Sequence, residues 1–176
     1  SSGYIKKQAV FHEIDAAYNR IIKTTVKAFL DKNSNDRIDA GEEETPLSET
    51  TYHYDQYGNI TSTVSGEYRK ENGVYVRGAE TVSNLTYDSL YHAYPIQSEA
   101  PDIIDADGNS SSIVTSSEYD VQGRLTASYD ANGHKTGYEY DAVGNLIKVN
   151  YYEKADDVQT LRYTDQTDYD YTNRKI

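Results

Sequence analysis

A short pattern, Tyr-Asp-x-x-Gly followed by a polar residue and usually Leu or Ile, recurs along this 176-residue chain. The copies are Tyr54-Asp55-Gln56-Tyr57-Gly58-Asn59-Ile60, Tyr119-Asp120-Val121-Gln122-Gly123-Arg124-Leu125, Tyr129-Asp130-Ala131-Asn132-Gly133-His134-Lys135 and Tyr140-Asp141-Ala142-Val143-Gly144-Asn145-Leu146. Asp105-Ala106-Asp107-Gly108-Asn109 lacks the Tyr, and Tyr169-Asp170-Tyr171-Thr172-Asn173-Arg174-Lys175 has Asn in place of Gly. A repeat constrains the fold strongly, because its copies are expected to adopt one local structure and to stack on their neighbours.

Each copy predicts a tight turn between two strands. The Asp carboxylate can accept a backbone N–H two residues later, and Gly supplies the positive φ that a Cβ resists. The Tyr is expected to end the incoming strand, and the Leu or Ile to begin the return strand. The copies at residues 119, 129 and 140 are ten or eleven residues apart. That spacing is one strand plus one turn, so it predicts an antiparallel sheet with ladders of Tyr and Leu or Ile.

The copy at residues 119–125 resembles the YD repeat of RHS-type proteins, whose pattern is Tyr-Asp-x-x-Gly-Arg-Leu. The copies that begin at Tyr54 and Tyr140 are close variants, and the resemblance covers residues 50–176. It implies a β-sheet spiral of hairpins from a large, secreted or surface-exposed protein such as a polymorphic toxin, a toxin-complex component or an adhesion receptor. The chain lacks the self-cleaving core motif of that family, and a handful of repeats cannot close a shell.

Before the repeats, residues 12–30 carry apolar side chains at three- and four-residue steps, which predicts an amphipathic helix. The members of this stripe are Ile14, Tyr18, Ile21, Ile22, Thr25, Phe29 and Leu30. The sequence changes to a period-two alternation after Pro46, which is typical of strands. Pro95 and Pro101 predict that residues 93–102 form a long loop and not a central strand.

Residues 31–42 have the spacing of an EF-hand calcium loop. The predicted ligands are Asp31, Asn33, Asn35, Arg37 through its carbonyl, Asp39 and Glu42. Alternate residues of such a loop point inward, and Ca²⁺ requires about six to eight oxygen ligands. Asp36 stands at the sixth position, where Gly is usual, so it must adopt a positive φ. The alternative is a polar linker rich in Asp and Asn that binds no metal.

The composition narrows the classes of partner. Asp and Glu number 29 against 17 Lys and Arg, a formal charge of −12, which argues against nucleic acid and against anionic membranes. No apolar run reaches the roughly 18 residues of a spanning helix. There is no Cys, and the 19 Tyr against 2 Phe indicate that Tyr supplies much of the buried area. The four His residues show no metal-type spacing, so no catalytic set is predicted.

The sequence therefore predicts a mainly β fold: an antiparallel YD-repeat sheet or spiral of hairpins (49–176), capped by a helix and a calcium-type loop (1–48). The expected function is a non-enzymatic, calcium-stabilised structural or interaction module, secreted or on the cell surface. Three alternatives stay open. These are a carbohydrate- or protein-binding adhesin surface built on Tyr ladders, a self-assembling subunit of a surface polymer that uses open sheet edges, and a shell fragment of a polymorphic toxin.

Overall fold

The computed structural model describes residues 5–42, 44–170, 172 and 174–176. These residues form twelve β-strands and no helix, and the neighbouring strands within each unit pair antiparallel. The predicted mainly β class is confirmed. The chain divides into two compact units, Ser1–Ser83 and Asn84–Ile176. The predicted boundary between residues 48 and 49 stays a prediction.

The first unit is a meander of long strands. Its strands are β1 (Ile5–Asp15), β2 (Arg20–Asp31), β3 (Glu44–Tyr54), β4 (Ile60–Glu71) and β5 (Val74–Arg77). The order across the sheet is β1-β2-β3-β4, and β5 pairs with the distal half of β4. Strand β6 (Thr81–Tyr87) crosses the boundary between the units.

The predicted helix over residues 12–30 is wrong, because this stretch forms the end of β1, a turn and β2. Ile21, Ile22 and Val26 are β-branched, which favours strands over helices, and so do the intervening Thr residues. Asn19 takes a φ of 50°, which ends the first strand in a turn, and Asp15 Oδ1 accepts the N–H of Ala17 at 2.9 Å. The three- and four-residue steps arose from apolar residues on both faces of two successive strands.

The second unit is a sheet in which neighbours in sequence are neighbours in space. Its strands are β6, β7 (Pro95–Ile104), β8 (Ser110–Tyr119), β9 (Leu125–Tyr129), β10 (Lys135–Tyr140), β11 (Leu146–Ala155) and β12 (Val158–Gln166). The connections therefore alternate between the two ends of the strands. The corners at Asp88, Asp120, Asp141 and Asp170 lie at one end, and those at Asp105, Asp130 and Asp156 lie at the other.

The predicted loop over residues 93–102 is also wrong, because most of it forms β7, which pairs with both β6 and β8. Pro95 is the first residue of the strand, a position where a missing N–H is tolerated. Pro101 falls where the β7–β8 register shifts, between Ala100 and Ile103. At such a bulge the missing N–H of Pro is tolerated, because the ladder needs no hydrogen bond there.

Few side chains are fully buried in the described part of the chain. The buried apolar residues are Ala28, Phe29 and Ala127, and the buried polar ones are Asp31 and Asn150. Most strand positions are half-buried or exposed. The stability of the sheets thus depends to an unusual degree on ladder hydrogen bonds, cross-strand pairs and turns, so the corners are important for stability.

Candidate functional site

The repeated Tyr-Asp-x-x-Gly corners share one hydrogen-bond pattern, which the corner at Asp120 illustrates. Its Oδ1 accepts the N–H of Gln122 and the N–H of Arg124, both at 2.9 Å. Its carbonyl accepts the N–H of Gly123 at 2.9 Å, and its own N–H donates to the Arg124 carbonyl at 2.9 Å. Gly123 has a φ of +78°. The predicted turn is confirmed in detail at this corner.

The same pattern occurs at the other copies. Asp55, Asp105, Asp130 and Asp141 each accept the N–H two residues later and the N–H four residues later, at 2.8 to 3.0 Å. Their glycines all have positive φ. Asp170 repeats the two carboxylate contacts with Thr172 and Arg174, while the predicted substitution of Asn173 for Gly lies outside the described residues. The copy that lacks its Tyr, at Asp105, is therefore a full corner.

Hydrogen bonding fixes the charge state of the corner carboxylates. A hydrogen bond from the Asn145 side chain lowers the pKa of Asp141, and backbone N–H donors lower it further. The Asn109 side chain acts in the same way on the pKa of Asp105. At Asp170, hydrogen bonds led by the Thr172 side chain lower the pKa to about 2. These aspartates are ionised hydrogen-bond acceptors in the folded protein.

A second repeated contact connects corners at the same end of the sheet. The hydroxyl of Tyr140 donates to the carbonyl of Leu125 at 2.9 Å, and that of Tyr169 donates to the carbonyl of Leu146 at 3.3 Å. Tyr119 donates to Pro95 at 3.2 Å. In each case the acceptor is the first residue of the return strand at the preceding corner, or its equivalent. The contact joins two neighbouring antiparallel strands beyond the last residues that their ladder pairs.

The first unit repeats this arrangement, together with an arginine stack. The Tyr54 hydroxyl donates to the Ile21 carbonyl at 2.6 Å, and the guanidinium of Arg20 lies 4.4 Å from the Tyr54 ring centre. Likewise the guanidinium of Arg124 lies 4.8 Å from the ring centre of Tyr140. The Arg-Leu or Arg-Ile pair after a turn thus makes two contacts with the Tyr of the next corner at that end. The Arg guanidinium stacks on the Tyr ring in a cation–π contact, and the Leu or Ile carbonyl accepts the Tyr hydroxyl.

The Tyr129 corner differs, although its sequence matches the pattern. It lies at the opposite end of the sheet, and its hydroxyl donates to Glu118 Oε1 at 2.8 Å. Its pairing with β10 is regular, whereas a register shift precedes Tyr54, Tyr119 and Tyr140. Such a bulge re-aims a side chain. Among the described corners, those with a bulge before the Tyr, at Tyr54, Tyr119 and Tyr140, direct its hydroxyl to a backbone carbonyl.

The sequence analysis did not predict two of the corners in which an Asp carboxylate accepts backbone N–H groups. Tyr87-Asp88 begins one with a longer loop, in which Asp88 accepts the N–H groups of Leu90, Tyr91, Ala93 and Tyr94. Although burial raises the pKa of Asp88, these N–H donors hold it well below its usual range. Asp15 begins the other, with Asn19 at positive φ. The Tyr-Asp dipeptide was the available signal for the first, and the Arg20-Ile21 pair, equivalent to Arg124-Leu125, for the second.

The predicted calcium ligands lie at the end of β2 and in the loop that follows it, and three of them meet. The side-chain amides of Asn33 and Asn35 both donate to Asp39 Oδ2 at 2.7 Å. Glu42 closes the loop by accepting the N–H groups of Lys32 and Asp39, at 2.7 and 3.1 Å. The Arg37 N–H donates to Asn35 Oδ1 at 2.9 Å. Asp36 has a φ of 62°, as predicted for the sixth position.

Asp31, the first predicted ligand, is buried beneath the loop and turns toward a cation of the protein. Its Oδ2 accepts a hydrogen bond from Lys7 Nζ at 2.6 Å, and Lys7 also pairs with Asp36. The Lys7 contact lowers the pKa of Asp31 to about 2, against the opposing effect of burial. The oxygen donors of the loop suit Ca²⁺. No group of three His, Asp or Glu side chains is close enough to hold a metal among the described residues.

The second unit also contains an open hollow of about 480 Å³ between β9 and β12. Tyr151 and Tyr163 stack on its wall with ring centres 4.3 Å apart, inclined by 20°, and Tyr163 is 56% exposed. Arg162 and Glu153 flank the pair. The hollow thus presents a flat aromatic surface beside one positively and one negatively charged side chain.

Two of the histidines make hydrogen-bond contacts within their own sheets. His134 Nδ1 accepts the N–H of Lys154 at 2.9 Å, and His12 Nδ1 contacts Thr24 Oγ1 at 3.0 Å. Among the described residues there is no apolar helix of membrane-spanning length.

The corner with its Tyr and Arg-Leu pair defines a YD-type repeat, and one stretch of the chain carries a family signature. Residues 119–151 match the family model for the RHS repeat. That stretch begins at the complete copy of the pattern, Tyr119 to Leu125, and spans β9 and β10. No curated protein matches this chain in sequence.

Among the solved structures that align with this chain are two that cover most of it. One is a protein of unknown function from Bacteroides fragilis NCTC 9343, at 13% identity and a TM-score of 0.31, with 92% of this chain and 93% of that chain covered. The other is the TcdB2-TccC3-Cdc42 complex, at 14% identity and a TM-score of 0.43, with 96% of this chain covered. The chain spans 11% of the matched chain in that complex. These values are too low to bear on function.

Proposed function

We propose that this chain is a non-enzymatic structural and interaction module of RHS/YD-repeat type. The observation that carries the proposal is the recurrence of one corner, with the same carboxylate contacts at Asp55, Asp105, Asp120, Asp130 and Asp141. Each carboxylate is occupied by backbone N–H donors, so it serves the turn and not acid–base chemistry. The RHS repeat match over residues 119–151 supports the assignment.

The experiment compares two matched substitutions. Asp141→Ala removes the acceptor of two backbone N–H groups, whereas Asp107→Ala removes an exposed carboxylate from the middle of a turn. We expect the first to lower Tm by several degrees and the second to leave it within about one degree, as is usual for surface substitutions. Equal Tm values for the two variants would overturn the structural role of the corners.

Calcium binding at residues 31–42 forms the second part of the proposal. The positions of Asp31, Asn33, Asn35, Asp39 and Glu42 support it, as does the positive φ of Asp36. The ion would have to displace the Lys7 ammonium from Asp31, because both cations need the same carboxylate. Bound calcium would fasten the loop between β2 and β3.

Thermal unfolding in excess calcium and in excess chelator tests this part. We expect calcium to raise the Tm of the unmodified chain and to leave the Tm of Glu42→Gln unchanged. Asp107→Asn is the control, because it removes one carboxylate charge outside the loop. Calcium should raise its Tm as much as that of the unmodified chain. Lys7→Met should strengthen calcium binding. Identical melting curves with and without calcium for the unmodified chain would exclude the metal.

A second candidate function is a carbohydrate- or protein-binding surface. The stacked pair Tyr151 and Tyr163 beside Arg162 and Glu153 favours it, because sugar rings and side chains pack on exposed aromatic faces. A glycan array probed with the unmodified chain and with Tyr163→Ala tests it, with Tyr18→Ala in the other unit as control. Loss of signal in Tyr163→Ala alone would support the surface, and no signal at all would exclude sugars.

We also propose that the protein works outside the cell or on its surface, which is what the RHS resemblance implies. Protease treatment of intact cells of the source organism tests this, because an exterior module is cleaved and an interior one is protected.

A further inference from the structure

The turn between β4 and β5 places Asn72 directly before Gly73. Their φ values are 50° and 86°, both positive, as in a type I′ hairpin turn. The ladder pairs Glu71 with Val74 on either side of the turn, so the Gly73 N–H does not belong to it. Among the described residues, neither this N–H nor the exposed Asn72 side chain has a hydrogen-bond partner.

An Asn-Gly pair has a chemistry of its own. Once the Gly backbone nitrogen has lost its proton to a solvent base, it attacks Cγ of the Asn side chain, and ammonia leaves as a succinimide ring closes. Water then adds to either ring carbonyl and opens the ring to aspartate or to isoaspartate. The net reaction consumes a water molecule and releases ammonia, so it needs no other reactant. Gly favours it because no Cβ hinders the attack.

A second Asn-Gly pair, Asn132-Gly133, lies in a corner that restrains it. The Gly133 N–H donates to the Asp130 carbonyl, and the Asn132 N–H donates to Asp130 Oδ1, both at 2.9 Å. Gln159 Nε2 donates to the Gly133 carbonyl at 2.7 Å. A Cβ at Gly133 would come within 2.9 Å of Lys154 Cδ, so that side chain covers the pair. The nitrogen that would attack is thus bonded and shielded.

The surroundings of Asn72-Gly73 are open by comparison. A Cβ built at Gly73 would meet nothing within 4 Å. In the part of the chain that the structure describes, β5 pairs with β4 and with no second strand, whereas β9 and β10 lie inside a sheet with β8 and β11 beside them. Two-stranded ribbons are marginally stable in water, so this turn opens locally at little cost in free energy. Opening frees the Asn backbone to bring the Gly nitrogen to Cγ.

We propose that Asn72-Gly73 is a site of spontaneous deamidation, and that the corner suppresses the same reaction at Asn132-Gly133. Isoaspartate adds a carbon to the main chain, which breaks the two-residue turn. Arg77, at the far end of β5, pairs with Glu80 at 2.8 Å and with Glu49 at 3.4 Å. The reaction therefore loosens a hairpin whose last residue is tied to the sheet by ion pairs. This modification site goes beyond the proposed structural and interaction role.

The test follows both pairs in the unmodified full chain. The protein is kept in mildly alkaline buffer at physiological temperature, and peptide mass spectrometry measures the loss of amide at each Asn. We expect Asn72 to react at least about fivefold faster than Asn132, the factor that one hydrogen bond is worth. In concentrated urea, where no turn persists, the two should react at similar rates. Equal rates in the folded chain, or no product at position 72, would overturn the proposal.

Two variants separate hydrogen bonding from steric cover. Asp107→Asn creates a third Asn-Gly pair in a corner where the Gly108 N–H donates to the Asp105 carbonyl at 3.1 Å but the space beside Gly108 is as open as at Gly73. We expect position 107 to react as slowly as Asn132. A rate at position 107 equal to that of Asn72 would contradict protection by the hydrogen bond.

Asp130→Ala removes the carboxylate that accepts the N–H groups of Asn132 and His134. We expect the rate at Asn132 to rise toward that of Asn72, because the restraint on the pair is lost. An unchanged rate at Asn132 would show that the corner does not suppress the reaction.

Hydrogen exchange of β5 tests the structural consequence. We expect the separated isoaspartate form to exchange its β5 amides faster than the unmodified chain, with the amides of β9 to β11 unaffected. Asn72→Asp is the matched control, because it adds the charge without lengthening the main chain, and Asp tolerates the positive φ. It should keep β5 protected. Equal exchange in the isoaspartate form and in Asn72→Asp would contradict the loss of the turn.

Discussion

The hydroxyl of Tyr140, at the end of β10, donates a hydrogen bond at 2.9 Å to the carbonyl oxygen of Leu125, at the start of the neighbouring strand β9. The guanidinium of Arg124, the residue before Leu125, lies 4.8 Å from the centre of the same ring. One Tyr side chain thus connects two corners at the same end of the sheet. The arrangement explains why a YD-type repeat favours Arg-Leu after its turn and Tyr before the next one.

Tyr140→Phe removes the hydroxyl and keeps the ring on Arg124. We expect the free energy of unfolding to fall by about 1 kcal/mol, the usual net value of one intramolecular hydrogen bond. Urea denaturation measures it. Tyr18→Phe is the matched control, because the Tyr18 ring is 70% exposed and stacks on Arg20 without need of its hydroxyl. An equal loss in both variants would contradict a specific role for the Tyr140 contact.

Arg124→Lys keeps the charge but loses the planar group that bridges Asp120 and the Tyr140 ring. We expect Tm to fall by about 2 to 4 °C. In a double-mutant cycle with Tyr140→Leu, the two losses should be less than additive because they remove one contact. Strict additivity would show that the stack contributes nothing.

Gly123→Ala and Gly108→Ala test backbone strain against steric contact. Both glycines have a φ near +80°, at +78° and +84°, so both variants should lose about 1 to 2 kcal/mol. A Cβ at Gly108 meets open space, whereas a Cβ at Gly123 meets the ring and hydroxyl of Tyr94. We expect Gly123→Ala to cost about 1 to 3 kcal/mol more. Chemical denaturation of the two variants side by side measures the difference, and equal losses would refute the close approach of Tyr94.

Stability should be steady at neutral pH and fall in acid. The folded-state pKa values of Asp55, Asp105, Asp120 and Asp141 are lowered, and those of Asp31 and Asp170 lie at about 2. Because the unfolded value is about 3.9, this stability is fully present above that pH and is lost as pH falls toward 2. Melting curves between pH 7 and pH 2 measure it. A Tm that stays constant down to pH 2 would contradict the bonding of these carboxylates.

The sequence predicted the corners well because their cause is local. An Asp carboxylate, a Gly at positive φ and a following Leu or Ile determine the turn at Asp120 within six residues. The partner of each Tyr hydroxyl could not be predicted. Tyr129 and Tyr140 have the same motif, yet one donates to Glu118 and the other to the Leu125 carbonyl, because they lie at opposite ends of the strands.

In the N-terminal region, the secondary structure predicted from the sequence is wrong. The apolar residues of 12–30 fit a helical period by coincidence, while the β-branched residues at Ile21, Ile22 and Val26 and the turn at Asn19 favoured two strands. The spacing of residues 31–42 predicts a calcium-type loop, and calcium binding there stays a prediction. The contact of Asp31 with Lys7 could not be predicted, because Lys7 reaches Asp31 only through the pairing of β1 with β2.

The most direct test of the account is residue-resolved hydrogen exchange on the unmodified chain. At the Asp-x-x-Gly corners, the amide four residues after the Asp donates to its carboxylate, as at Asn59, Arg124, His134 and Asn145. The account predicts that these four amides, which lie in connections between strands, exchange as slowly as the strand amides beside them. Exchange at the rate of an unstructured loop would show that the corners are not fixed units, and it would contradict the structural role proposed for the repeat.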